Sequence, residues 1–345
     1  MISRRSAAAL TSMAATALLL GGIAGAPSAT AATGGTTLSV FAWNVDLGTA
    51  IVDSTQNEQA AKRTPVIESI IRRHNADVVI LDENFNNTST ADINGKLADL
   101  YPYRTPVVGQ TCSGGGWTGI SGNCSNSMFV INGGTMILSK YPITAQYAHI
   151  FSNSTYGTWD YHANKGAAMV QVDKGGVKSW VVGTHLQADE SDVSTDTTQS
   201  TRLGQLSEIR AWADGIAGTD APVLIGGDLN VEYVHGQSRG DFANAQYAAN
   251  GVLGTPATDP GQTLATMDCS VSAWCQYMAG VETFPKDYRD DLDYLGYLNA
   301  PGRPVPLALP NVKADLDPQT GWSAGQLDTN SPSDHYPVEA TFQLN

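Results

Sequence analysis

Leu224-Ile225-Gly226-Gly227-Asp228-Leu229-Asn230-Val231 carries an apolar run straight into an acid and an amide. Residues 223–225 have the length and character of a buried strand, which is expected to stop at Gly226-Gly227-Asp228. Asp228 and Asn230 lie two apart across Leu229, and in an extended segment that spacing puts both on one face. A single ending of this kind is an ordinary turn, because Asp and Asn favour turns and caps.

The rest of the chain repeats it. Phe41-Ala42-Trp43 is followed by Asn44 and Asp46. Val78-Val79-Ile80-Leu81 is followed by Asp82 and Glu83, and Val181-Val182-Gly183-Thr184 by His185. Leu292 is followed by Asp293, and Ser333 by Asp334 and His335. Ligand sites of α/β proteins collect at strand ends. Six endings with metal- or proton-handling groups exceed what turns alone explain. Between them, residues 58–74 place Ala60, Val66, Ile67, Ile70 and Ile71 at helical spacing, and residues 202–212 read as a second helix. Strands mixed with helices predict sheets covered by helices, in the α/β or α+β class.

The N-terminus points to export. Arg4-Arg5 precede an apolar stretch from Ala7 to Ala24, then Pro27 and small residues to Ala32. That order predicts a signal peptide over residues 1–31 and a single catalytic domain over 32–345. A membrane anchor fits less well, since Gly21, Gly22 and Gly25 weaken the span and no stop-transfer flank follows. No later segment is apolar enough to cross a bilayer. The expected protein is secreted. Four cysteines in an exported chain read as two disulfides, with Cys112/Cys124 and Cys269/Cys275 preferred as near neighbours. The net charge of -14 argues against a nucleic-acid partner, because phosphate affinity comes mainly from Lys and Arg. A monomer is the expectation.

The residue types suit phosphodiester hydrolysis. A hard divalent cation takes oxygen ligands, which Glu83, Asn44 and Asp46 can supply. His335 suits a general base, because imidazole titrates near neutral pH, and Asp293 is the carboxylate that would orient it. His185 suits stabilisation of the phosphate or help to the leaving group. Trp117, Trp159 and Trp274 fit either a lipid contact or packing under disulfide-closed loops.

Together, Trp43-Asn44-Val45-Asp46, Asp82-Glu83, Gly183-Thr184-His185, Gly227-Asp228-Leu229-Asn230, Leu292-Asp293-Tyr294 and Ser333-Asp334-His335 resemble the motif series of the endonuclease/exonuclease/phosphatase superfamily. They keep the family order across residues 38–342. Within it the chain is most similar to the secreted bacterial sphingomyelinases C. The strings that carry this are residues 183–188, 224–231, 139–143 and 333–340, together with Asn164-Lys165-Gly166. The resemblance implies an α/β (α+β) four-layer sandwich of two packed mixed β-sheets flanked by helices. It implies Mg2+ as cofactor, with Mn2+ or Co2+ in substitution. The implied reaction is hydrolysis of sphingomyelin to ceramide and phosphocholine, on phospholipid at a membrane surface. Phospholipase C acting on glycerophospholipids shares the motifs, and an extracellular nuclease shares the fold. By the same resemblance Glu83 is the main metal ligand with Asn44 close by, and Asp334 stands on the metal side. Asp228, Asn230 and His185 surround the phosphate, His335 is the base and Asp293 its partner. Two places depart from the pattern. An edge metal site would need an acidic pair where Ile131-Asn132-Gly133-Gly134 stands, although Asn87 is kept. The membrane hairpin before the last motif offers only Trp322 among Gly and Ser.

Overall fold

Phe41 and Ala42 point opposite ways, and that alternation builds the layers. On the strand Thr37–Leu47, Val40 and Ala42 enter one apolar cluster while Phe41, Trp43 and Val45 enter another. On Val78–Asn84, Val78 and Ile80 join the first, Val79 and Leu81 the second. The period of two is that of a strand buried on both faces. Ile67, Ile70 and Ile71 of the helix Ser54–His74 complete the outer cluster. The inner cluster also takes Ala168, Val170, Val181, Leu224 and Leu295 from a second sheet. That sheet's far face, with Met169, Val182 and Ile225, packs on Leu206, Ile209 and Ala213 of the helix Thr195–Ala217. The order is helix, sheet, sheet, helix, as the resemblance implies. Truncating an inter-sheet residue such as Ile80 to Ala should cost about 2–5 kcal/mol.

This computed structural model describes residues 35–48, 54–255, 265–282, 285–307, 312–314, 323–324, 327–328 and 332–344. The expected signal peptide and Trp322 lie outside them. Among the described residues one sheet has six strands, with Val338–Gln343, Thr37–Leu47, Val78–Asn84 and Met136–Ser139 adjacent in that order. The other has seven, with Asp293–Leu298, Val223–Asp228, Val177–Thr184, Gly166–Lys174 and Ile143–Ile150 adjacent.

Two parallel pairs aim the site. Thr37–Leu47 runs parallel to Val78–Asn84, and Val177–Thr184 parallel to Val223–Asp228. Each pair is joined by a helix, as a parallel crossover requires. The carboxyl ends of these strands carry Asn44, Glu83, His185 and Asp228. Asp293 and His335 reach the same place differently. Asp293 opens a strand antiparallel to Val223–Asp228 and stands opposite Asp228. His335 precedes Val338–Gln343, which is antiparallel to Thr37–Leu47. Two of the six presumed strand endings are therefore strand beginnings. An antiparallel strand starts at the edge where its neighbour stops.

The two helices read from sequence are longer than expected, at Ser54–His74 and Thr195–Ala217. The sequence reading did not place the strand Ile143–Ile150, whose partly buried residues lack a clean apolar pattern. Both preferred disulfides form, with Cα–Cα separations of 5.5 Å for Cys112–Cys124 and 4.8 Å for Cys269–Cys275. Trp117 and Trp274 are buried packing residues, whereas Trp159 is exposed.

Candidate active site

Gly227 lets the central strand come close enough to build the site. Its φ is +130°, and a Cβ there would lie 2.1 Å from the Thr184 carbonyl oxygen and 2.6 Å from Asp82 Oδ2. Only glycine fits. Buried Asp82 accepts Thr135 Oγ1–H at 2.6 Å and the Asp228 N–H at 3.0 Å, so it locks Asp228 into place. Asp228 in turn accepts the Asn230 N–H at 2.9 Å, and Asn230 turns into the left-handed region at φ 51°. The Asp228–Asn230 segment is thus a turn closed by the Asp side chain, not the extended stretch that the spacing suggested. Asn230 Nδ2 donates to the Leu186 carbonyl, which ties it to the His185 strand.

Around Asp228 two clusters meet. Glu83, His185 and Asp228 each offer a ligand atom within 4.8 Å of the others, and so do Asp228, Asp293 and His335. In the first, Asn44 Nδ2 donates to Glu83 Oε1 at 2.8 Å and to Asp228 Oδ2 at 2.9 Å. His185 Nε2 lies 3.5 Å from Asp228 Oδ2 and accepts from Lys165 Nζ at 3.1 Å. Burial, then the charges of Lys165 and His335, push His185 well below its ordinary value, so it is a neutral imidazole. Lys165 is anchored by Asp160 at 2.8 Å and by the Leu186 carbonyl at 2.8 Å.

In the second cluster His335 Nδ1 pairs with Asp293 Oδ2 at 2.7 Å, and Nε2 faces Asp228 Oδ2 at 3.8 Å. Burial opposes a charge on His335, but Asp293 and Asp228 outweigh it and hold the group well above its usual range. Ser333 accepts the His335 N–H and donates to the Asn44 carbonyl, and Trp43 Nε1 donates to the His335 carbonyl. These contacts bind the last motif to the first strand.

Asp46 and Asp334 sit beside these clusters. The Asp46 carboxylate is engaged by Trp274 Nε1 and by Arg63, whose guanidinium also donates to the Pro332 carbonyl at 2.8 Å and covers the Trp274 ring. Sequence reading missed Arg63, because its neighbours Lys62 and Glu68 suggest a solvent-facing helix. It also assigned no role to Lys165 or Asp82. Burial, and then Asp334, push Asp46 up to about 7. Burial, and then Asp46, push Glu83 up to about 7. Burial raises Asp228 and Asp334 to about 6. Asp46, Glu83 and Asn230 all have positive φ, three of the five such non-glycine residues described. Strain of this kind concentrates at functional sites.

Carboxylate oxygens from Glu83 and Asp228 beside an imidazole suit a hard divalent cation, whereas Asn44 turns its Nδ2 toward both and its Oδ1 to the Asp46 N–H at 3.1 Å. The four raised carboxyl groups show where positive charge would be most stabilising. The sheet edge differs. Asn132 donates to the Phe85 carbonyl at 3.0 Å and accepts the Gly134 N–H at 2.9 Å. A cavity of about 360 Å³ beside it is lined by Asn87, Gln110, Asn126 and Asn164 among others, with no carboxylate. Amides there offer dipoles without charge.

A model described as the Endonuclease/Exonuclease/phosphatase family matches residues 41–335. A sphingomyelinase C of Listeria ivanovii is 32% identical over 281 residues, covering 76% of this chain and 74% of that protein. The crystal structure of sphingomyelinase C from Streptomyces griseocarneus superposes with a TM-score of 0.75 at 28% identity, over 89% of this chain and 99% of that one. A Staphylococcus aureus beta toxin mutant with bound magnesium ions gives 0.75 at 26% identity, over 88% and 99%.

Proposed function

We propose that this chain, which belongs to the Endonuclease/Exonuclease/phosphatase family and is a phosphoric diester hydrolase, cleaves sphingomyelin to ceramide and phosphocholine. The observation that carries the mechanism is Asp228, one carboxylate shared by the Glu83 cluster and the His335–Asp293 pair. A cation site and a proton-handling pair are thereby held side by side.

Glu83 and Asp228 would hold a divalent cation, Mg2+ in this reading, with Asn44 and His185 beside it. It would supply positive charge to the phosphoryl oxygens and offset the carboxylate field. Asp293 holds His335 through Nδ1 and leaves Nε2 free to take a proton from the attacking water. The base must be neutral, yet the carboxylates around it favour the imidazolium. Turnover therefore requires counter-charge in the Glu83 cluster. Lys165 places a buried positive charge next to His185, which favours an anionic substrate. Asn230 and the neutral His185 complete the polar lining.

A substrate panel tests the reading. The purified protein is supplied with Mg2+ and sphingomyelin, phosphatidylcholine, phosphatidylethanolamine or DNA. Phosphocholine release from sphingomyelin, abolished by EDTA, is expected to dominate. Preferred release from phosphatidylcholine would make the chain a glycerophospholipid phospholipase C, and DNA cleavage would make it a nuclease.

A further inference from the structure

Large apolar side chains gather on two loops at one side of the site. Met128 is 87% exposed, Phe129 78%, Tyr156 82%, Trp159 64% and Tyr161 45%. The loops are joined by backbone hydrogen bonds from Ile131 N to the His162 carbonyl and from Asn164 N to the Ile131 carbonyl, each 2.9 Å. We infer that Met128, Phe129, Tyr156, Trp159 and Tyr161 form the surface on which the enzyme docks to a zwitterionic lipid bilayer. The inference rests on the sphingomyelin reading.

Three observations select this occupant. The first is position. Asp160, between Trp159 and Tyr161, accepts from Lys165 Nζ at 2.8 Å and from the Ala188 N–H at 2.7 Å. Lys165 reaches His185, so a surface docked through these rings lies next to the phosphate-handling groups. The second is rigidity. Both oxygens of Glu190 accept the Trp159 N–H, at 2.8 and 2.9 Å. Thr158 Oγ1 donates to the Thr155 carbonyl, and Tyr156 packs edge-on against Tyr161 at 5.2 Å. A ring held outward by a braced loop loses little further freedom on binding. The third is charge. Residues 125–131 carry no charged side chain, and in residues 153–163 the one carboxylate, Asp160, is paired inward with Lys165. Amphipathic Trp and Tyr rings favour the headgroup level of a bilayer. Anionic lipids attract basic segments, and neither the loops nor a chain of net charge -14 offers one.

Phe129→Ala/Trp159→Ala tests this, with Phe129→Ala alone as a milder second variant. Binding is measured by sedimentation with phosphatidylcholine–sphingomyelin vesicles in EDTA, so that no turnover is needed. Rates are measured on the same vesicles with Mg2+ and on a short-chain sphingomyelin dissolved as monomers. The double variant is expected to bind vesicles at least about tenfold more weakly and to lose vesicle turnover in parallel, with the monomer rate kept within twofold. Adding phosphatidylserine should not tighten binding by the parent. Unchanged vesicle binding in the double variant overturns the inference. So does an equal loss on the dissolved substrate, or a parent dimer that the variant converts to monomer. A parent that binds vesicles through these rings but cleaves no sphingomyelin would refute the substrate reading and leave the docking surface standing.

Discussion

Among the described residues stand two Glu–His–Asp clusters, which differ in how far their polar groups are satisfied. Glu83, His185 and Asp228 form the first, and Glu232, His235 and Asp290 the second, each with ligand atoms within 4.8 Å. The difference is saturation. Asp290 accepts the N–H groups of Tyr233, Val234, Asp291 and His235, and His235 Nδ1 besides. Glu232 is held by Arg239 and by the Tyr288 hydroxyl. The second cluster is a brace for the chain after the Asp228–Asn230 turn. In the first, Glu83 accepts from Asn44, and burial beside other carboxylates raises its proton affinity. Residue type alone does not separate the two; the supply of donors and counter-charge does.

The largest expected contrast is in turnover. His335→Ala should lower kcat by about 10²–10⁴-fold, the range for a general base. Glu83→Gln should fall by on the order of 10³-fold. Glu232→Gln should stay within about threefold, because Glu232 belongs to the brace. Steady-state phosphocholine release measures all three, and a large loss in Glu232→Gln would erase the contrast. Asp293→Asn should retain binding but lose about 10²-fold in kcat, since the imidazole would lose its orienting carboxylate.

Stability against pH reports on both clusters, because Asp291 beside Asp290 is also raised to about 7, by burial and then by Asp290, so the response to Mg2+ is what separates them. Asp46 and Glu83 are raised to about 7, and Asp228 and Asp334 to about 6, in the cation-free protein. An ordinary carboxyl in the unfolded chain titrates near 4. Between pH 4 and 7 the folded state therefore binds more protons, and stability falls as pH rises through that window. Chemical denaturation in EDTA should show a loss on the order of 3 kcal/mol from pH 5 to pH 8. Mg2+ should flatten the slope, and a flat profile in EDTA would count against the cluster. The smallest effect belongs to the brace. Asp290→Asn should cost about 1–3 kcal/mol in urea denaturation, and Mg2+ should restore none of it.

The sequence revealed the polar groups that gather at the candidate site better than their supports. Asn44, Glu83, His185 and Asp228 stood out because each interrupts or ends an apolar strand. Asp293 and His335 were found by the same rule, although they begin strands, because edge and direction are invisible without pairing partners. The four layers came from the resemblance, because continuous apolar runs do not show that Val40 and Ile80 enter one core while Phe41 and Val79 enter another. Arg63 was hidden because a buried guanidinium looks like any helix-surface cation until Asp46 and Trp274 are placed around it. The turn at Asn230 was hidden because local spacing does not reveal that the Asp228 side chain closes it. Exposure of Trp159 and burial of Trp117 depend on loop packing that no periodicity encodes, and Trp274, read as a loop residue, stands on the helix Ala273–Glu282.

Calorimetric titration of Mg2+ into EDTA-stripped, dialysed protein tests the central claim most directly. The parent and Glu232→Gln should each show the same saturable binding, and Glu83→Gln should lose it. Equal binding by Glu83→Gln and the parent, or loss confined to Glu232→Gln, would contradict the assignment of the cation to the Glu83 cluster.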